Sequence, residues 1–441
     1  MKKIVILLIL LVAAVWALFQ WQVTKVESLS ETITHRQDYT RYLKQNYEPE
    51  PSEKLDAEIT FWLDKLDKQP EGFLYMEKAA ALLSRKYKLL GNLKDIQLSD
   101  SLLHKANTFL KGKKKINNYL LLSANAIGQH RFQQAKSYVE KALNLEPFNF
   151  STMLMAFDAY METGAFEPAE NLLKHAYAPT SFDYLIRAAK FQDHQGNLDS
   201  ALFLMEKAQA IAAQKGLKDK YLWVKTNLGD MYGHAGQFEK SYHTYLEVLD
   251  EGAHSLHAMK GIAWLAFSHD LKTDDAKEIL SFILTQRKSP DVYLTLAEIA
   301  EFENDRKERA KQLALFEKET YEPGYFEMYR PSRVALVAEE EDVQTAIALA
   351  QDEINNRSTP SAYLLLARTY ARGQMFDKAL AIVENHVVGE TFEPSLLYQS
   401  ALIYQSAGLK HQAEQLFEEA LQSSFELGPV VVQNIRLQLT K

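Results

Sequence analysis

The sequence predicts an all-α solenoid of nine or ten helix pairs, preceded by an amino-terminal transmembrane helix. Three observations carry this. A small residue recurs at Ala135, Ala169, Ala201, Ser241, Ala276, Ala310, Ala346, Ala379 and Ala413, at spacings of 34, 32, 40, 35, 34, 36, 33 and 34 residues. Two antiparallel helices with their turns fill a period of about 34 residues. Glycine (17) and proline (12) are few for the length, whereas Ala, Leu, Glu, Gln and Lys are abundant, which favours helix over strand. Finally, two lysines precede a long apolar run at the start, the order of charge and hydrocarbon met in membrane-inserted helices. With 47% hydrophobic and 24% charged residues, the remainder of the chain has the apolar surface needed to fold.

The first element, residues 1–23, is an anchor or signal segment. Lys2 and Lys3 lead into the unbroken apolar run Ile4 to Phe19. That run is marginal for spanning at ~1.5 Å per residue and long for a cleaved signal. Val15-Trp16-Ala17 offers small residues to signal peptidase, but the bulk of Trp16 and the continuation Leu18-Phe19 favour a retained anchor. The absence of cysteine rules out acylation as a lipoprotein, so a membrane link must come from the helix itself. The positive-inside bias then predicts a single-pass bacterial inner-membrane protein with its repeats facing the periplasm, or a secreted or periplasmic one if the signal is cleaved.

Residues 24–53 read as a juxtamembrane stalk and hinge. Val26, Leu29, Ile33 and Leu43 fall near heptad positions and leave open a homodimer through the stalk, although Arg36 and Thr40 interrupt the seam. Pro49 and Pro51 mark the hinge. Residues 54–115 are degenerate amino-terminal helical repeats: Asp56 to Asp67 resembles a second helix without its first, and Gly72 to Leu90 pairs with Ser99 to Leu110 around Gly91-Asn92.

Residues 116–427 hold the regular repeats, clearest in Leu228-Gly229-Asp230-Met231-Tyr232-Gly233-His234-Ala235-Gly236-Gln237-Phe238-Glu239-Lys240-Ser241. Two helices approach closely only over a small contact residue, with large residues filling the space around it. Leu122, Phe132, Ala135 and Ala142 repeat the pattern, as do Tyr160, Gly164, Phe166 and Ala169, then Tyr363, Ala367, Tyr370, Phe376 and Ala379, and finally Ala401, Tyr404, Gly408, Ala413 and Phe417. The chain thereby resembles the tetratricopeptide-repeat (TPR) family, and specifically bacterial single-pass membrane-anchored TPR proteins. The turn glycine is missing between Asp270 and Ala276 and between Glu303 and Ala310, and the 40-residue interval predicts a second helix lengthened over Ala208 to Lys220. Tyr321 to Pro331 crowds aromatics and prolines where a first helix should run. It reads either as a loop pinned on the solenoid or as a gate or docking surface. Residues 428–441 form a capping helix started by Gly428-Pro429.

The resemblance implies a right-handed TPR-type superhelix whose first helices line a concave groove that holds an extended peptide or a partner helix. The groove positions carry over to Asp158, Arg187, Lys190, Trp223, Thr226, Asn227, Asp230, Thr295, Arg368, Arg372 and Tyr398. Arg187 with Lys190, and Arg368 with Arg372, share helix faces and suit carboxylates or backbone carbonyls, or else simply solvate the face. Leu120 and Ala124 stand where chaperone-tail binders need Lys and Asn, so that specificity is not carried over. A net charge of −8 argues against nucleic acid as a partner, and zero cysteines exclude zinc–thiolate sites and thiol catalysis. No phosphate loop, zincin motif or nucleophile elbow occurs. The expectation is therefore a non-enzyme without cofactor or metal, a scaffold for protein–protein interaction in cell-envelope assembly. The alternatives are a periplasmic holdase or quality-control chaperone, and a regulatory subunit or divergent enzyme.

Overall fold

A computed structural model of the chain describes residues 32–44, 52–252, 255–339 and 342–440, and all regular structure among them is helical. The expected anchor, residues 1–23, lies outside the described residues. Among these, no helix is long and apolar enough to cross a membrane. In chain order the helices are α1 (Arg36–Leu43), α2 (Ser52–Lys68), α3 (Phe73–Leu90), α4 (Leu93–Phe109), α5 (Lys115–Gly128), α6 (Phe132–Leu145), α7 (Phe150–Glu162) and α8 (Phe166–His175). There follow α9 (Phe182–His194), α10 (Leu198–Gln214), α11 (Lys218–His234), α12 (Phe238–Asp250), α13 (Leu256–Trp264, continued by a π-helical turn over Leu265–His269), α14 (Thr273–Gln286), α15 (Pro290–Phe302) and α16 (Arg306–Glu319). The array ends with α17 (Pro323–Met328), α18 (Arg330–Glu339), α19 (Val343–Asn356), α20 (Pro360–Arg372), α21 (Phe376–His386), α22 (Pro394–Ser406), α23 (Lys410–Leu421) and α24 (Ser424–Leu439). Ten antiparallel pairs result among the described residues, α3/α4 through α15/α16 and α18/α19 through α22/α23, with α1, α2, α17 and α24 unpaired.

One local rule recurs. In eight pairs the residue five before the crossing position takes a left-handed backbone: His130, Gly164, Gly196, Gly236, Leu271, Asn304, Gln374 and Gly408, with φ between 56° and 85°. This turn reverses the chain between the helices of a pair, which is why glycine is common there and why its replacements carry strain. Ala135, Ala169, Ala201, Ala276, Ala346 and Ala379 at the crossings are 0% exposed, and Ser241 and Ala413 are 1%. Ala310 is a correction. It is exposed, and the turn at Asn304 places Arg309 at the crossing, so this pair lacks the small contact residue and α16 buries only Gln312 and Phe316. In α11/α12/α13 the contact is close: the ring of Tyr245 lies where a Cβ on either Gly229 or Gly261 would collide with it.

The expected lengthening over Ala208 to Lys220 is divided between two helices: α10 spans 17 residues but ends at Gln214, and Lys218 to Lys220 open α11, itself 17 residues long. Residues 321–331 contain short helices rather than a loop, because Pro323 and Pro331 stand in first turns, where the missing N–H leaves nothing unsatisfied. Their aromatics pin them to the far end of the array. Tyr325 packs with Tyr87, Leu93 and Ile96, and its hydroxyl donates to the Gly91 carbonyl at 2.6 Å. The solenoid thus winds far enough to touch itself. Asn356 donates to the His130 carbonyl (2.8 Å) and accepts from the Phe132 amide (3.0 Å), and Gly164 lies against the Ser358 carbonyl.

Part of the expected stalk is docked rather than free. The Asp270 carboxylate, just past the π-helical turn, accepts from the Ile33 amide (3.2 Å), the Thr34 amide (2.8 Å) and the Thr34 hydroxyl (2.6 Å). Thr34 is fully buried and Tyr39 is 1% exposed. Ile33 and Leu43, which fit a heptad seam, instead pack on the core of α12, α13 and α14. Their apolar faces are therefore spent on the body, and Val26 and Leu29 lie outside the described residues.

Candidate functional site: a channel along the first helices

All eleven candidate residues lie on first helices, α7, α9, α11, α15, α20 and α22. In the amino-terminal half most of them are engaged within the array. Arg187 donates to the Asp158 carboxylate through Nε (3.0 Å) and Nη2 (2.6 Å), and to the Leu154 and Asp183 carbonyls at 3.0 and 2.7 Å. Burial pushes the Asp158 carboxyl up against the opposing pull of Arg187. Lys190 pairs with Glu162 at 2.7 Å and Lys220 with Asp183 at 2.8 Å, so successive first helices are laced by a ladder of ion pairs. Asp230 accepts from Tyr245 (2.6 Å) and His257 (2.8 Å). Thr226 is buried and returns its hydroxyl to the Leu222 carbonyl, and Asn227 donates to the Trp223 carbonyl. Trp223 stands out at 48% exposed.

The carboxy-terminal candidates converge. Arg368, Arg372 and Tyr398 line one cavity of about 720 Å³ together with Glu298, Glu301 and Arg309. Thr295, half-buried on α15, is not among its lining residues. Arg309 pairs with Glu301 at 3.0 Å, whereas the Oε1 atom of Glu298 is buried without a hydrogen-bond partner. Burial and the nearby Glu301 push the Glu298 carboxyl up to about 7. Val430, Val431 and Asn434 of α24 close the cavity on one side.

The cap does more than cover the last pair. Leu427, Val432 and Ile435 do bury into the α20–α23 core. The segment before them, however, reaches the opposite wall: Trp264 Nε1 (3.2 Å) and Ser268 Oγ (2.7 Å) both donate to the Phe425 carbonyl. The Phe425 ring sits 4.8 Å from that of Phe238, and Glu426 lies 3.8 Å from His234. A second cavity, about 460 Å³, opens on the other side of Phe425, lined by Asp230, His257, Lys260, Trp264 and Asp291. The carboxy-terminal segment therefore divides the channel. Sequence reasoning missed Phe425, Trp264, Ser268, Glu298 and Arg309. Only the Gly428-Pro429 break was a signal, and it marked a cap rather than a crossing.

Among the described residues no group of three or more His, Asp or Glu side chains has the geometry of a metal site. Residues 394–426, which comprise α22, α23 and the first residues of α24, match the tetratricopeptide repeat family. This stretch is a tetratricopeptide repeat, set at the end of a helical array. No curated protein matches the sequence. Among solved structures, the chain is similar to PilF of Pseudomonas aeruginosa at 14% identity and a TM-score of 0.36, over 49% of this chain and 97% of that one. PilW, a type IV pilus biogenesis factor, is similar at 16% identity and a TM-score of 0.38, over 48% and 97% of the two chains. The human IFIT1 dimer with m7Gppp-AAAA is similar over more of this chain, 87% against 92% of its own, at 14% identity and a TM-score of 0.45. These scores are low, and the likenesses carry no inference about activity.

Proposed function

We propose that this TPR protein is a membrane-tethered scaffold of the bacterial cell envelope, with its repeats on the periplasmic side of the inner membrane, holding an extended segment of a partner protein along its first helices. The observation that carries the reading is the convergence of Arg368, Arg372 and Tyr398 on one cavity of the channel. Two guanidinium groups beside an aromatic ring suit a carboxylate-bearing or carbonyl-rich peptide. The tether rests on Lys2, Lys3 and the apolar run to Phe19.

The test is site-specific photo-crosslinking from position 399, beside Tyr398, in intact membranes, comparing the native chain with Arg368→Glu plus Arg372→Glu. One dominant crosslinked partner that disappears in the double variant supports the scaffold, and an unchanged pattern removes the cavity from it. Alkaline extraction and the mass of the mature amino terminus test the tether. Release into the soluble fraction, or a terminus near Leu18, replaces the anchor by a cleaved signal. A periplasmic holdase is favoured by a different feature, an apolar cleft of about 690 Å³ lined by Tyr177, Tyr184, Phe191 and Phe203. Many partners insensitive to the arginine reversals would select that reading.

A further inference from the structure

The crossing of the channel by the carboxy-terminal segment has the make-up of a peptide seated in a receptor. Its receptor wall is shaped for an aromatic ring: Gly233 on α11 has no side chain where a Cβ would fall 2.8 Å from Phe425, and Phe238 and Trp264 flank the same ring. Two side-chain donors, Trp264 Nε1 and Ser268 Oγ, read a backbone carbonyl, which recognises a chain rather than a particular side chain. Gly428 then turns the segment away with a left-handed φ of 76°, and a Cβ there would lie 2.6 Å from Glu298 Oε1 and 2.9 Å from the Trp264 ring.

The crossing shares the apolar cluster of the cap through Leu427, 5% exposed, but differs from the cap at its acidic residue. Val432 and Ile435 are buried at 8% and 0% exposure in a continuous apolar cluster. Glu426, by contrast, sits among Asp193 and Glu393 with only His234 opposite. Burial pushes its carboxyl up, and the two acids add to that rise. Docking Gly428 leaves Glu298 Oε1 beside it without a hydrogen-bond donor. A segment seated on a shaped wall yet strained by its own acids is one that a better-matched chain displaces.

We infer that Gly233, Phe238, Trp264 and Ser268 form a recognition site for a partner segment in which an aromatic residue is followed by an acidic residue, an aliphatic residue and glycine, and that Phe425-Glu426-Leu427-Gly428 is its resident competitor. The inference rests on the scaffold reading and specifies which segment the channel takes. The cavity beside Trp264, with His257 and Lys260 in its lining, gives room for residues of the partner that precede the aromatic one.

The experiment titrates a fluorescent peptide of residues 423–441 into the full chain in detergent and reads anisotropy. Gly428→Ala expels the crossing while leaving Val432 and Ile435 to cap the array, so this variant binds the peptide about tenfold tighter than the native chain or better. Adding Gly233→Ala, which fills the ring's seat without breaking α11, abolishes binding, and a peptide carrying Phe425→Ala binds neither protein. Equal affinity for the native chain and Gly428→Ala, or binding indifferent to Gly233→Ala, overturns the inference. Should Gly428→Ala fail to fold, the full chain with Phe425→Ala presents the same vacated seat, and absence of peptide binding there overturns it equally. A tail exchanged between two copies appears as a dimer in sedimentation of Gly428→Ala and also overturns it, in favour of self-association. Crosslinking from position 399 in the same preparations separates the two proposals: a retained partner without peptide binding sinks this inference alone, and loss of both sinks the scaffold.

Discussion

Replacing Asp270 by asparagine tests whether a single buried carboxylate holds residues 32–44 on the array. Its side chain is 1% exposed and accepts three hydrogen bonds from Ile33 and Thr34 and one from His269 at 2.8 Å. Burial alone would raise this carboxyl. The hydrogen bonds from His269, Thr34 and Ile33 overcome it and hold the group far below the ordinary carboxylate range. Because the folded value is depressed, the docking energy is fully present above the unfolded value of about 3.9 and is lost only as pH falls through the folded one. Asparagine keeps the shape but turns one oxygen into a donor facing N–H groups, removing one charge-assisted bond and opposing another, about 2–3 kcal/mol. At about 1.4 kcal/mol per tenfold, opening of the segment rises about 30- to 150-fold. Hydrogen exchange at the Thr34 amide in the native protein at pH 7 reads this directly. An unchanged Thr34 exchange rate in the variant would show that Tyr39 and its apolar neighbours, not Asp270, hold the segment.

Three further expectations follow from the geometry. Gly261→Ala drives a methyl into the Tyr245 ring and lowers stability by about 1–3 kcal/mol, whereas Gly236→Ala, with open space around it and φ of 69°, loses about 1 kcal/mol, the two compared by thermal melting followed by circular dichroism. Glu298→Gln is neutral at pH 4.5 and stabilising above pH 7. A carboxyl raised from 4.5 to about 7 carries a penalty that is absent below the lower value and complete above the higher, up to about 3 kcal/mol and less where cavity water screens it. Urea unfolding at the two pH values checks the sign, and equal shifts at both would refute it. Arg187→Met leaves Asp158 without its cation and lowers stability by about 2–3 kcal/mol, while crosslinking from position 399 is unaffected.

Much of the fold was legible because each pair is specified locally. A small crossing residue and a left-handed turn five residues earlier recur within one unit, so Ala135 or Ser241 can be recognised from its own neighbours. Arg309 escaped because its unit has lost both cues, the small residue and the glycine, and an average period then pointed one residue too far. The helix faces of the channel were equally readable, since Arg187 and Lys190 do lie on a first helix. What sequence spacing did not contain is which groups face them from the preceding helix, Asp158 and Glu162, because that depends on how far each pair rotates on the last. The crossing at Phe425 is the extreme case: Trp264 lies 161 residues away, and no local pattern encodes the meeting.

The self-contact of the winding changes what kind of object this is. An open repeat array behaves as a one-dimensional chain, in which end units fray and lost units are tolerated because each leans only on its neighbours. Here His130 is tied to Asn356, Gly91 to Tyr325 and Thr34 to Asp270, across 226, 234 and 236 residues of chain. The units must therefore stand or fall together. The expected signature is a single unfolding transition in place of stepwise fraying, approached through slow folding, since such distant partners meet only after most of the chain is in place. Shortening the array by one pair would misalign those ties rather than merely trim its length.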